Sequence, residues 1–167
     1  MIAMVHPSCD IRNAERIWMG EDVRVLSNVW LDIAYDNPHR GYMIQIGKGT
    51  SIGRGSLISA ANSIIIGDNV LIAPNVFISD TSHRYEDINE PIIAQGITTI
   101  TDSITIDDDS WIGTKVVING NVRIGKHCVI GANSFVKKSI PDYSVAVGSP
   151  AKVIKTYDFN KERWVKV

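Results

Sequence analysis

His83 is the side chain of this sequence best suited to acid–base chemistry. It is one of four histidines, and it follows Ile78-Ser79-Asp80-Thr81-Ser82 at the start of a long polar stretch. An imidazole changes its protonation state near neutral pH, which suits a general base. Asp80, three residues earlier, is a candidate for orienting the ring. From its position alone, His83 is also consistent with an ordinary histidine on a surface loop.

Four lysines near the end of the chain form a second candidate group: Lys137, Lys138, Lys152 and Lys155. Their charge suits either a phosphate-binding patch or a solvated surface. A lysine ammonium binds phosphate as a point charge, without the bidentate geometry of arginine. The acidic run Asp107-Asp108-Asp109 lies at a predicted turn and is interpreted as a solvated corner.

The composition narrows the class of protein. A length of 167 residues predicts one domain, and a formal net charge of −1 provides no basic stripe for a nucleic acid. No apolar run reaches the roughly 18 residues of a membrane span, and the stretch from Met1 to Ser8 does not resemble a signal peptide. Cys9 and Cys128 form no disulfide framework, and Cys128 fits a core position. These features favour a reduced, cytoplasmic setting.

A six-residue period of apolar residues predicts the architecture. Large aliphatic residues recur every six positions in three runs: Ile46, Ile52 and Ile58; Ile66, Ile72 and Ile78; and Ile106, Ile112, Ile118, Ile124, Ile130 and Val136. A weaker run, Met19, Val25 and Leu31, precedes them. A helix would repeat at about 3.6 residues and a simple strand at about 2. Glycine often follows the periodic residue, so the pattern predicts short parallel strands joined by sharp corners and stacked in coils.

Three interruptions break this period. The first, residues 32–45, is rich in turn residues and includes His39, which could line an acceptor site but is more simply a surface residue. The second is a two-residue insertion before Ile66. The third is the long stretch 82–105. Long insertions in a regular solenoid are usually functional or disordered.

The repeat ends at Ile140-Pro141. The segment 148–152 predicts an extended turn, because proline restricts its own φ and the residue before it. Beyond it, Asp158 or Asn160 would cap a short helix holding Phe159 and Trp164. Such a helix would cover the open end of the last coil.

The repeated pattern resembles the hexapeptide-repeat family, whose members form a left-handed parallel β-helix with three hexapeptides in each triangular coil. The handedness comes from the resemblance, because general rules favour right-handed crossovers. The resemblance implies an all-β chain with an N-terminal segment over residues 1–18 and a β-helix acyltransferase domain over 19–154. A loop is inserted at 83–103, and a C-terminal tail or helix covers 155–167.

Within that family, the run from Ile66 to Val76, followed seven residues later by His83, resembles sugar acetyltransferases of the maltose and galactoside type. Trp111-Ile112-Gly113 after the long loop supports the same resemblance. It implies that His83 is the catalytic base, which accepts the proton of an acceptor hydroxyl as that hydroxyl attacks the acetyl carbonyl of acetyl-CoA.

The same resemblance implies further site residues. Asn62 matches an asparagine that helps hold the acceptor, although a polar corner residue is an equal interpretation. The backbone N–H of Thr114 would stabilise the oxyanion. Trp111 would pack on the pantetheine arm or beside His83, or lie at a subunit contact, and the small Ala132 would leave room for the pantetheine. The phosphates of the coenzyme would meet the basic residues near the end of the chain, Lys137, Lys138, Lys152 and Lys155.

These implications lead to one main hypothesis, an acetyl-CoA-dependent O-acetyltransferase that modifies a saccharide or sugar-nucleotide acceptor, closest to enzymes that decorate surface polysaccharides. It would work without a metal, as a homotrimer with sites between subunits. Two alternatives stay open: an N-acetyltransferase acting on an amino or nucleotide sugar, and a β-helix scaffold without catalysis. A zinc carbonic anhydrase of this fold needs three converging histidines, and no third partner accompanies His83 and His127.

Overall fold

The computed structural model describes residues 2–35, 41–98 and 102–167; His39 lies outside these ranges. The chain forms twenty short strands within the described ranges, together with a 3-10 turn at Ala14–Arg16 and one helical turn, α1, at Ile92–Gln95. The strands are β1 (Met4–Val5), β2 (Asp10–Ile11), β3 (Ile17–Met19), β4 (Arg24–Val25), β5 (Trp30–Ile33), β6 (Ile44–Ile46), β7 (Ser51–Ile52), β8 (Leu57–Ala60), β9 (Ser63–Ile66), β10 (Leu71–Ile72), β11 (Phe77–Ser79), β12 (Ser103–Ile106), β13 (Trp111–Ile112), β14 (Val117–Asn119), β15 (Val122–Ile124), β16 (Val129–Ile130), β17 (Phe135–Val136), β18 (Ser144–Gly148), β19 (Ala151–Asp158) and β20 (Arg163–Lys166).

From β1 to β17, successive strands enter three sheets in strict rotation. Sheet A runs β1-β4-β7-β10-β13-β16-β18, sheet B contains β2-β5-β8-β11-β14-β17, and sheet C contains β3-β6-β9-β12-β15. Neighbouring strands within these runs are parallel. One strand of each sheet makes one triangular coil, which confirms the parallel β-helix predicted from the six-residue period. The stacked strands begin at Met4, because β1, β2 and β3 already belong to these sheets.

The periodic aliphatic residues fill the interior. Ile52, Ile72, Ile112 and Ile130 stack in register along sheet A, and each is almost fully buried. Complete burial of such a side chain contributes about 1.5–3 kcal/mol. Cys128 is also buried, as predicted, and burial raises the pKa of its thiol. The interior is therefore one aliphatic column that runs the length of the coil stack.

The two-residue insertion lies at a corner of the coil, where it does not disturb this column. Ile58 and Ile64 are six positions apart, whereas their counterparts in a later coil, Ile118 and Val122, are four apart. All four side chains nevertheless keep their places in the interior. The extra residues therefore enlarge the corner between β8 and β9, which contains Asn62.

Close backbone approach and a left-handed backbone conformation impose separate requirements at the corners. A Cβ on Gly53 would lie 2.4 Å from the carbonyl carbon of Ala73 in the next coil, so this periodic glycine is required by close backbone approach. The left-handed backbone conformation falls two positions after the glycine position of the repeat, as at Asn75 and Asn133, with φ of 59° and 60°. Asparagine tolerates this conformation better than most side chains.

The C-terminal helix predicted around Phe159 and Trp164 is wrong. Residues 151–158 and 163–166 form the antiparallel strands β19 and β20, which extend sheet A beyond β18. Asp158 Oδ1 accepts the backbone N–H groups of Asn160 and Lys161, and this makes the turn of a hairpin instead of a helix cap. Across the hairpin, the rings of Tyr157 and Trp164 meet edge to face with centroids 5.6 Å apart.

The predicted extended turn at residues 148–152 is a tight connection between β18 and β19, and the Ser149–Pro150 peptide bond in it is cis.

Within the described ranges, no helix is long and apolar enough to cross a membrane.

The close packing at Gly53 gives a stability prediction. Gly53→Ala should lower the free energy of unfolding by about 2 kcal/mol, because the new methyl group overlaps backbone atoms that cannot move independently. Gly41→Ala is the matched control, since a Cβ there meets nothing within 4 Å among the described residues. Denaturant unfolding at one protein concentration checks both variants, and equal stability of the two would contradict the packing role.

Candidate active site

The corners of the coil organise the residues predicted to do chemistry. The B–C corner is formed by the segments that join a sheet B strand to the next sheet C strand, and both Asn62 and the loop carrying His83 lie there in successive coils. The A–B corner joins a sheet A strand to the next sheet B strand, and it carries Thr114 and Ala132. The predicted catalytic residues and part of the predicted donor site therefore occupy different corners of one chain.

A short antiparallel pairing holds His83 at the base of the long loop. His83 forms an isolated bridge with Ile97. On either side of it, the Arg84 N–H donates to the Gly96 carbonyl (3.0 Å) and the Thr98 N–H donates to the Ser82 carbonyl (2.7 Å). The side chain of His83 is exposed. The backbone of this histidine is thus fixed while its ring faces the outside of the coil.

Asn119 anchors the start of the loop, a role that sequence reasoning missed. Its Nδ2 donates to the carbonyl oxygens of Ser79 and Thr81, both at 3.0 Å, and its Oδ1 accepts the hydroxyl of Ser82 at 3.4 Å. The signal was present in the repeat, because Asn119 stands opposite Ser79 once the coils are stacked. It was hidden by the long insertion that separates the two residues in sequence.

The carboxylate of Asp80 holds the neighbouring corner, in place of the predicted contact with His83. It is fully buried and accepts three consecutive backbone N–H groups, those of Ala61 (2.7 Å), Asn62 (2.9 Å) and Ser63 (2.7 Å). Asp80 therefore ties the enlarged corner around Asn62 to the segment from which the His83 loop departs. Burial raises the pKa of Asp80, and the three backbone hydrogen bonds oppose this shift without cancelling it.

Asn62 has an unusual environment for a polar corner residue. It is 3 % exposed, and its Nδ2 has no hydrogen-bond partner among the described residues. Buried amide groups are nearly always paired, so an unpaired one requires an explanation. The predicted role of Asn62 toward an acceptor would give this donor a partner.

The predicted donor-site residues lie along the outside of the coil. Trp111 projects from sheet A between Leu71 and Val129 and is 49 % exposed. Thr114 and Ala132 occupy equivalent corners of successive coils, one above the other. Four exposed lysines complete the set: Lys137 and Lys138 directly after β17, and Lys152 and Lys155 on β19.

An open cavity of about 420 Å³ lies beside His83 on the outer face of sheet B. Its lining includes the side chains of Trp30, Asp32, Leu57 and Phe77. Sequence reasoning assigned no role to these residues.

The described residues contain no group of three or more His, Cys, Asp and Glu side chains that could hold a metal ion.

Two family models match separate parts of this β-helix. Residues 43–80 match the hexapeptide repeat of succinyl-transferase, and residues 103–138 match the bacterial transferase hexapeptide model of six repeats. The long loop carrying His83 lies between the two matches.

Solved structures match more of the chain. A hexapeptide-repeat-containing acetyltransferase of Vibrio cholerae in complex with acetyl-CoA is 31 % identical, with a TM-score of 0.71, over 84 % of this chain and 71 % of that one. A galactoside acetyltransferase in complex with coenzyme A is 34 % identical, with a TM-score of 0.73, over 92 % and 74 %. The chain belongs to the hexapeptide-repeat acetyltransferase family and has its left-handed parallel β-helix.

Curated relatives match over shorter regions. An Escherichia coli protein, named for O-acetyl transfer in lipopolysaccharide biosynthesis, is 35 % identical over 94 residues, which is 53 % of this chain and 48 % of the relative. The chain spans only between 26 % and 48 % of the length of the curated relatives compared.

The raised pKa of Asp80 predicts a characteristic pH dependence of stability. Between its ordinary value and the raised folded value, the folded protein binds more protons at Asp80 than the unfolded chain does. The stability advantage of the wild type over Asp80→Asn should therefore fall as the pH rises through this window, and stay level on either side. Urea unfolding of both proteins across the acidic range measures this difference.

The opposite slope would contradict the assignment. An advantage that rises with pH would mean that the three N–H groups stabilise the carboxylate by more than burial destabilises it.

Proposed function

We propose that this protein is an acetyl-CoA-dependent O-acetyltransferase that transfers an acetyl group to a hydroxyl of a saccharide, with His83 as the general base. The proposal rests chiefly on the position of His83, at the fixed base of a loop and beside an open cavity, in a β-helix similar to structures that hold acetyl-CoA or coenzyme A. A role in surface polysaccharide modification is supported by the lipopolysaccharide relative.

The reaction uses the residues in separate roles. The imidazole of His83 removes the proton of the acceptor hydroxyl as its oxygen attacks the thioester carbonyl carbon. The backbone N–H of Thr114 donates to the developing oxyanion. Collapse of the tetrahedral intermediate breaks the carbon–sulfur bond, and the proton held by His83 passes to the leaving thiolate. The buried amide of Asn62 supplies a hydrogen bond to the acceptor.

The donor lies along the outside of the coil. Trp111 and the small Ala132 border the path of the pantetheine arm, and the exposed ammonium groups near the chain end attract the coenzyme's phosphates: Lys137, Lys138, Lys152 and Lys155. Acetyl-CoA is a substrate in this scheme, and the chemistry requires no metal.

In this proposal, the complete site forms between the subunits of a homotrimer. The B–C corner carries His83, whereas the A–B corner carries Thr114 and Ala132, so one coil of one chain keeps the two sets apart. In a symmetric ring, the B–C corner of one copy faces the A–B corner of the next, which assembles a complete site between them. Exposed apolar side chains on the outer face of sheet A, such as Leu71 and Trp111, provide the contact surface.

The role of His83 predicts a selective loss of turnover. His83→Ala should reduce kcat by roughly 10²–10⁴-fold, because the acceptor hydroxyl loses its base. The dissociation constant for acetyl-CoA should stay the same, since the donor residues lie elsewhere. Release of free thiol with a panel of sugars measures turnover, and calorimetric titration measures donor binding.

His127→Ala is the matched control, since this histidine is also exposed but lies at the corner between β15 and β16. Equal activity of the two variants would remove His83 from the mechanism. Transfer to amino sugars alone would indicate an N-acetyltransferase, and a failure of the wild type to bind acetyl-CoA would favour a scaffold.

The shared site predicts complementation between two inactive variants. His83→Ala and Ala132→Trp disable opposite halves of the site, the second by blocking the pantetheine path. Trimers assembled from an equal mixture should recover about a quarter of wild-type activity, because that share of sites receives two intact halves. No recovery in mixed trimers, with assembly verified by sedimentation, would place each site within one chain.

A further inference from the structure

The outer face of sheet B beside His83 carries two parallel rows of side chains. Leu31, Ile58 and Ile78 point into the core, so their neighbours on β5, β8 and β11 point outward. One row is apolar and consists of Trp30, Leu57 and Phe77; the other is polar and consists of Asp32, Ser59 and Ser79. Both rows line the cavity that also contains His83.

Trp30 is held firmly in the apolar row. The guanidinium of Arg12 lies 4.9 Å from the centre of its ring, and Arg12 also pairs with Asp10 at 3.4 Å. The indole Nε1 is buried and has no hydrogen-bond partner among the described residues. A large apolar ring at the edge of an open cavity provides a surface on which a ligand can stack.

Asp32 gives the polar row its charge. Its Oδ2 accepts the hydroxyl of Ser59 at 3.1 Å. A carboxylate has two oxygens and about four lone-pair sites, so it retains capacity for further donors after this bond. A ligand in the cavity therefore meets a hydrogen-bond acceptor with a negative charge beside a flat apolar floor.

We propose that this surface is the acceptor subsite, that it binds one sugar ring, and that it selects rings without a negative charge. The apolar C–H face of the ring lies on Trp30, Leu57 and Phe77, and ring hydroxyls donate to Asp32. A uronate brings a second carboxylate next to Asp32 and is rejected by repulsion. A volume of about 420 Å³ lies within the size range of small-molecule sites.

This inference rests on the proposed saccharide transfer, but it assigns residues and a charge preference that the reaction itself does not require. It commits to a sugar as the occupant because an apolar floor and a row of hydrogen-bonding groups, side by side, match the two faces of a pyranose. A neighbouring copy of the chain covering Trp30 is the competing occupant.

The test of the apolar row compares two outward tryptophans. Trp30→Ala should raise KM for methyl galactoside about tenfold, with kcat and KM for acetyl-CoA unchanged. Trp18→Ala is the control, since Trp18 projects from sheet C opposite Gln45 and is 43 % exposed. An unchanged KM for the sugar in Trp30→Ala, or dissociation of the oligomer in sedimentation, would overturn the subsite.

The test of the polar row compares methyl galactoside with methyl galacturonoside. The wild type should favour the neutral sugar, and Asp32→Asn should reduce this preference about tenfold, mainly through better use of the uronate. Asp22→Asn is the control, because Asp22 lies at a corner away from the cavity. An unchanged preference in Asp32→Asn would refute selection by charge.

Direct binding separates this inference from the proposed function. Saturation-transfer NMR with the same two sugars needs no turnover. If the wild type binds the neutral sugar in a manner that depends on Trp30 but transfers no acetyl group, the subsite stands and the transferase proposal fails. If it transfers acetyl groups while Trp30 and Asp32 have no effect on sugar binding, the transferase stands and the subsite fails.

Discussion

The structure depends on one constraint, which is that every coil must place its aliphatic side chains directly over those of the coil below. Ile58, Ile78 and Ile118 meet this condition, although the connection from Ile78 to Ile118 is twenty residues longer than the connection from Ile58 to Ile78. Short strands have few hydrogen bonds of their own, and a β-helix gains its cohesion from this repeated register and burial. Any residue in excess of the repeat must therefore leave at a corner. The corner between sheets B and C receives both the pair of extra residues around Asn62 and the long loop with His83.

Where the chain departs from the coil, backbone groups lose their partners in the sheets, and polar side chains supply the missing hydrogen bonds. Asp80 accepts three N–H groups of the enlarged corner, and Asn119 donates to two carbonyl groups where the loop begins. Both interactions lie between coils, so they connect the loop to the neighbouring coils of the β-helix. The proposed role of His83 as a base would benefit from such support, because small displacements of a catalytic group are costly. The burial that makes Asp80 effective as an anchor also raises its pKa.

The outer faces and corners of the coil have separate roles in the proposed transfer reaction. In the proposed scheme, the apolar and polar rows of sheet B receive the acceptor, the loop supplies the base, and the A–B corner of another copy supplies the donor side. Regular stacking makes this division possible, since equivalent positions in successive coils form straight rows of side chains. The row from Trp30 to Phe77 and the row from Asp32 to Ser79 are examples. Changes in outward residues can alter the ligand while the inward residues preserve the fold.

The sequence by itself determined the β-helix, because neither a helix nor a simple strand repeats its apolar residues every six positions. Its resemblance to sugar acetyltransferases singled out His83, at the point where the period breaks. It could not determine the final strands: Asp158 suits a helix cap and a hairpin turn equally, and the hairpin is favoured by the pairing of β19 with β18 and by the packing of Tyr157 against Trp164. It also could not show that Asp80 faces the corner at Asn62, or that Asn119 supports the loop. The first contact joins residues 18 positions apart, and those of Asn119 span 37 to 40 positions. Stacking of the coils brings such residues together, and that is a property of the tertiary structure alone.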